Sequence, residues 1–172
     1  MKAPDSPPGD APSIARRLAS MAYEGLLLFA VAFAGTWVFF LANGGKPIEG
    51  TQRHLLQIYL VALAAAYFLW CWLRGGQTLA MKVWRIRLVA PGHARLPPRV
   101  ALARLVYSSV SVGAFVVALV AAFVHREIWL SFASLSICGV GIGWALFDRD
   151  RQFLHDRLAG TRLIRVGKPT RR

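Results

Sequence analysis

Four apolar stretches dominate the chain and leave it few ways to fold: roughly Leu18–Leu41, Leu55–Leu73, Leu105–Val124 and Ile128–Phe147. Each holds 19 to 24 residues, enough at a helical rise of about 1.5 Å per residue to cross a hydrocarbon core of about 30 Å. Core helices of soluble proteins seldom stay apolar on every side for so long. A mean hydropathy of +0.45 and 56% hydrophobic residues over 172 positions also exceed what an ordinary soluble domain carries. The expected fold is an all-α membrane protein with four transmembrane helices. A short cytoplasmic interfacial helix or strand segment is expected between the second and third.

The net charge of +13 invites a nucleic-acid reading, but the distribution of the charge argues against it. Of 21 Lys and Arg, three precede the first stretch, seven lie between Arg74 and Arg104, and eight follow the last. The two other connections hold only Lys46, Arg53 and Arg126. This asymmetry is the positive-inside pattern. It places both termini and the 74–104 loop in the cytoplasm of a multi-pass membrane protein, with the bilayer and anionic headgroups as neighbours and no nucleic acid. Arg16-Arg17 before an apolar run resembles a secretory or twin-arginine signal. The run is longer than a cleavable signal's core and carries an acid, so it is expected to remain as the first span.

The rest of the chain divides simply. Residues 1–13, with Pro4, Pro7, Pro8 and Pro12, read as a disordered tail; 14–167 form the transmembrane domain; 168–172 form a basic tail. In the 74–104 loop, Leu79, Val83 and Ile86 share a helical face, consistent with a short interfacial helix. From Trp84 the pattern alternates, and Pro91-Gly92 can turn a small hairpin to which 161–166 adds a strand. Cys71 and Cys138 fall inside spans without metal or disulfide spacing and read as packing residues.

Glu24 is the one acid within the first stretch, in RRLASMAYEGLLLFAVAF. Arg17 is seven residues earlier, about 20° short of two turns and about 10.5 Å along the axis. The two share a face with Ser20. Direct pairing is not expected, because the arginine leans toward the helix N-terminus and the headgroups. An ionisable group so placed costs at least about 2.5–3.5 kcal/mol and normally faces a bundle interior or a wet cavity. Either a structural hydrogen bond or a transport role accommodates it.

Arg17, an acid in the first helix, GGQTLAMKVWRIRLV after the second stretch and DRDRQFLHDRLAGTRLIRV after the last together resemble the RDD family of small, mostly bacterial membrane proteins. The likeness covers roughly residues 14–167, and QFLHDRLAGTRLI is its most specific part. It maps the family arginine to Arg17, the helix-embedded aspartate to Glu24 and the second aspartate to Asp156. Gln77, Thr78, Arg104, His155, Gly160 and Thr161 are supporting positions. Glu24 departs from the family by one methylene. Ala80 stands where a glycine is common, which leaves a close backbone approach there in question. The resemblance implies a membrane location and fold, and suggests transport, including cation–proton exchange, for some members.

Other motifs favour structure over chemistry. Asp156 is expected to cap a short turn ending at Gly160, in preference to forming an acid–base pair with His155. Gly139 and Gly143 have GxxxG spacing inside the last stretch, which points to close helix packing. Ser108, Ser109 and Ser111 either line a polar interior or bond back to their own helix. No catalytic set, metal site or cofactor motif is present in the sequence, so no enzyme is expected. Three functions remain: transport through a polar interior containing Glu24, a membrane scaffold docking a partner on its basic face, and, last because no catalytic set is present, an intramembrane enzyme. Four helices enclose little space, so a homo-oligomer or an unidentified membrane partner is expected with either of the first two.

Overall fold

A computed structural model describes residues 11–125, 128–148 and 152–167. The tail residues 1–10 and 168–172, the connection at Arg126-Glu127, and the side chains of Cys138 and His155 lie outside the described residues. The elements in chain order are α1 (Ile14–Ala42), α2 (Thr51–Gly75), α3 (Leu79–Val83), β1 (Ile86–Val89), α4 (Pro98–His125), α5 (Ile128–Phe147), α6 (Leu154–Leu158) and β2 (Arg162–Arg165).

Local chemistry sets these boundaries. Ser13 caps α1 by accepting from the Arg16 N–H, and the helix stops at Asn43-Gly44-Gly45, where both glycines take positive φ. Gly76 ends α2 in the left-handed conformation, its N–H donating to the Trp72 carbonyl at 2.9 Å. Thr78 caps α3. Pro98, whose missing N–H costs nothing at a first helical position, opens α4.

Three helices among the described residues are long and apolar enough to cross a membrane: α1, α2 and α4. Their side chains face outward to an extent that water would not tolerate. Phe29, Phe33, Leu26 and Val61 are exposed, and Phe123 is 87% exposed. Contact between α1 and α2 is close at Gly35, where an added Cβ would meet the Leu63 side chain at 3.0 Å and that of Leu60 at 3.3 Å. Phe39 and Tyr59 stack nearby, with centroids 5.9 Å apart.

An added Cβ at Gly139 or Gly143 meets nothing within 4 Å among the described residues. Among the described residues the tight crossing falls at Gly35. Ser108 and Ser111 donate to the carbonyls of Arg104 (2.7 Å) and Tyr107 (3.0 Å), the back-bonded alternative.

The packed core lies at one end of the bundle, where α1 and α4 begin and α2 ends. Trp72, Ile86, Leu88, Ala90, Leu96, Ala101 and Leu163 form it. β1 and β2 run antiparallel with Leu88 opposite Leu163 and Ile86 opposite Arg165. The strand expected within 161–166 is present as β2 and pairs with β1 directly, whereas the hairpin expected across Pro91-Gly92 does not form among the described residues. That turn leads to Leu96-Pro97-Pro98, and two prolines cannot supply ladder N–H groups. Ile86 likewise leaves the helical face expected with Leu79 and Val83. Arg85 takes a φ of 54°, which ends the helical run after α3 and turns Ile86 inward, where it is buried.

Candidate functional site

Two buried polar clusters occupy this packed end, and both are built from residues that the sequence places far apart.

The first surrounds Glu24, which is only 9% exposed. Tyr67, in the last half of α2, donates its hydroxyl to Oε1 at 2.7 Å. The Thr78 hydroxyl donates to Oε2 while its oxygen accepts the Met81 N–H at 3.2 Å. One threonine thus caps α3 and holds the acid of α1. The preceding residues explain the rest of the GGQT run. The Gly76 carbonyl accepts the Leu88 N–H at 2.7 Å, and an added Cβ would meet the Leu88 carbonyl oxygen at 2.6 Å. Positive φ and that backbone approach both require glycine here. Gln77 donates from Nε2 to the Ile86 carbonyl at 2.7 Å, holding β1 from the same side. Ala80 is fully buried, so the methyl group that departs from the family glycine is accommodated.

The second cluster surrounds Asp156, which is fully buried in the first turn of α6. Arg104 of α4 pairs with Oδ1 through Nη1, and the same nitrogen donates to Thr161 Oγ1 at 2.8 Å. Thr161 in turn donates to the Asp156 carbonyl at 3.2 Å. The Arg104 guanidinium lies over the Trp72 ring, 5.3 Å from its centroid. The carboxylate therefore serves as an ion-pair partner from inside α6. This corrects the capping role: a cap's side chain turns back to its own helix's N–H groups, whereas this one reaches across to α4. Gly160 turns the chain with a φ of 65° and delivers Thr161 to the pair. Gln152 accepts the Leu163 N–H at 3.1 Å and holds β2 to the same knot.

Arg17 sits beside this second cluster. Its Nε donates to the Pro12 carbonyl at 3.2 Å, and its guanidinium lies 5.4 Å from the Phe153 ring centroid. Asp156, Arg104 and Asp148 are within electrostatic reach. Arg17 and Glu24 do not pair.

The structure thus brings Glu24 to Thr78, and Arg104 to Asp156 and Thr161, with Arg17 alongside. Gln77 and Gly160 shape the backbone around them, and Gly139 and Gly143 stand apart. Sequence reasoning overlooked Tyr67. Its signal was a phenol inside LVALAAAYFLW, since a buried tyrosine hydroxyl normally finds a partner. It also overlooked the aromatic rings of Trp72 and Phe153 beneath the two arginines. Among the described residues no group of three His, Cys, Asp or Glu is placed to hold a metal ion.

These features define a class: a helical membrane protein whose spans are tied together at one end by buried acid-centred polar clusters. The chain belongs to the RDD family, whose family model matches residues 11–160. Comparison with curated proteins and with solved structures returns no match.

Proposed function

We propose that the protein is a non-enzymatic membrane scaffold whose packed end presents a fixed basic surface to a partner. The observation that carries this reading is the use made of Glu24. Both of its oxygens are engaged in joining α1 to α2 and to the cap of α3, which is the work of a fastening. On the adjoining α3–β1–β2 segment, Lys82, Arg85, Arg87 and Arg165 are exposed and present a cationic face to an acidic partner. α5 serves as the fourth span. The packed end and both termini face the cytoplasm of a bacterial inner membrane, and the chain assembles as a homo-oligomer or with another membrane protein. Reporter fusions at residue 172 and within 74–104 should report cytoplasm and those at Gly45 the opposite side; a carboxyl terminus on the outer side overturns this topology.

A second reading has one observation in its favour. A buried carboxylate between two rotatable hydroxyls can accept and return a proton, the element of cation–proton exchange or of small-solute transport. Proteoliposome flux under cation gradients separates the two readings. Flux that Glu24→Gln abolishes and Glu24→Asp partly retains establishes transport. No flux from the wild type, with Glu24→Gln stably folded, establishes the scaffold.

A further inference from the structure

Arg17 is 1% exposed, yet Nη1 and Nη2 have no hydrogen-bond partner. Its Nε is held by the Pro12 carbonyl and one face of the guanidinium lies over the Phe153 ring. Neither contact satisfies the edge of the guanidinium that carries the two terminal nitrogens. A cation–π contact lies above the plane, whereas those N–H groups point within it. Buried N–H groups are paired in the great majority of proteins, and a buried cation short of partners is costly.

The nearby carboxylates of Asp156 and Asp148 act on Arg17 through their charge but make no hydrogen bond to Nη1 or Nη2. Among the described residues the cluster holds Arg17, Arg104 and Arg157 against Asp148 and Asp156. Asp156 is engaged by Arg104, and Asp148 lies 3.7 Å from Arg157. Arg104 has an unpartnered buried nitrogen of its own, Nε. Two neighbouring guanidinium groups therefore hold buried donors without a hydrogen bond.

The position adds chemical direction. Arg17 is the fourth residue of α1 and immediately precedes the apolar run that starts at Leu18, the depth at which a span meets the headgroup layer. A terminal guanidinium edge matches two oxygens of a phosphate or carboxylate, and headgroup phosphates are the commonest oxyanions at that depth.

We infer that Arg17 is a receptor for a phosphate oxyanion, held end-on by Nη1 and Nη2 at the junction of α1 with the Asp156 knot. Arg104 supports the charge through its Nε.

The test uses the full chain in a neutral detergent, with phosphatidylglycerol, phosphatidylcholine and inorganic phosphate as separate probes. Native mass spectrometry should show wild-type chain retaining a phosphate-bearing ligand, and the midpoint of thermal unfolding should rise with it. A response to phosphatidylglycerol above phosphatidylcholine identifies an anionic lipid; an equal response to both lipids identifies the phosphodiester alone; a response to inorganic phosphate identifies the soluble anion. Arg17→Lys keeps the charge but loses the fork, and should weaken binding about tenfold. Arg87→Gln, on the exposed face of β1, should stay within about twofold. Absence of a saturable response to all three probes in the wild type overturns the inference, and that result needs no variant to fold. Equal losses from Arg17→Lys and Arg87→Gln also overturn it, in favour of diffuse surface attraction.

Discussion

Glu24 and Asp156 are both buried carboxylates at the same end of the bundle, but their partners differ in kind. Glu24 accepts from two neutral hydroxyls, of Tyr67 and Thr78. Asp156 faces a guanidinium buried with it, Arg104, which also donates to Thr161. The first arrangement joins helices through hydrogen bonds that a neutral side chain can imitate. The second stabilises two opposite charges that neither could carry alone at such burial. Identical chemistry at the acid thus implies different tolerance to substitution, and that difference is measurable.

The largest effect is expected at Asp156. Asp156→Ala leaves Arg104 buried without its counter-charge, which costs about 3–5 kcal/mol. Unfolding in detergent should fall sharply, or the variant should fail to accumulate. Replacing both partners, with Asp156→Leu and Arg104→Met, should recover much of the loss because the stranded charge is gone. A double variant as unstable as Asp156→Ala would show that the ion pair has a role beyond mutual compensation.

That pair also shows what the sequence could disclose. The apolar stretches announce themselves because hydropathy over about 20 residues is a local property. The caps at Ser13 and Thr78 and the helix-opening Pro98 are local as well. Arg104 and Asp156 are 52 residues apart, and Glu24 and Thr78 are 54 apart. Spacing carries no information about such contacts; each residue stood out singly while its partner did not follow. The sheet misled for a related reason. Pro91-Gly92 is a good turn, and only tertiary packing replaces the near partner with β2. Gly139 and Gly143 are a local signal of another kind: GxxxG records that a close approach is permitted, not what fills it.

The next effect in size is Glu24→Leu. It removes both acceptors, leaves the Thr78 hydroxyl without its partner and weakens the start of α3, at a cost of about 2 kcal/mol. Chemical denaturation should show a lower midpoint, and proteolysis within 76–97 should accelerate as the loop loosens. A wild-type midpoint would mean that Tyr67 and Thr78 find other partners and that Glu24 is not the fastening proposed.

Tyr67→Phe should cost less, about 1 kcal/mol, because Glu24 keeps Thr78 and the ring keeps its T-shaped contact with Phe68 at 5.4 Å. Combined with Glu24→Leu, it should add almost nothing, since the shared hydrogen bond is already lost. Full additivity would place the tyrosine hydroxyl's main interaction elsewhere.

The smallest effect separates the two carboxylates most clearly. Glu24→Gln retains the length of the side chain and one carbonyl oxygen, which can accept from Tyr67 as the carboxylate does. The new amide can donate to Thr78 Oγ1, because a hydroxyl oxygen has two lone pairs and Met81 N–H uses one. The Thr78 hydroxyl hydrogen must then turn to another acceptor, so the change should cost about 0.5–1 kcal/mol. The isosteric replacement at the other site, Asp156→Asn, should cost several times more, because the amide cannot neutralise Arg104. The two variants compared in one unfolding series test the contrast directly. Near-equal losses would mean that Glu24 acts through its charge after all, and the flux assay would become the decisive measurement for that residue.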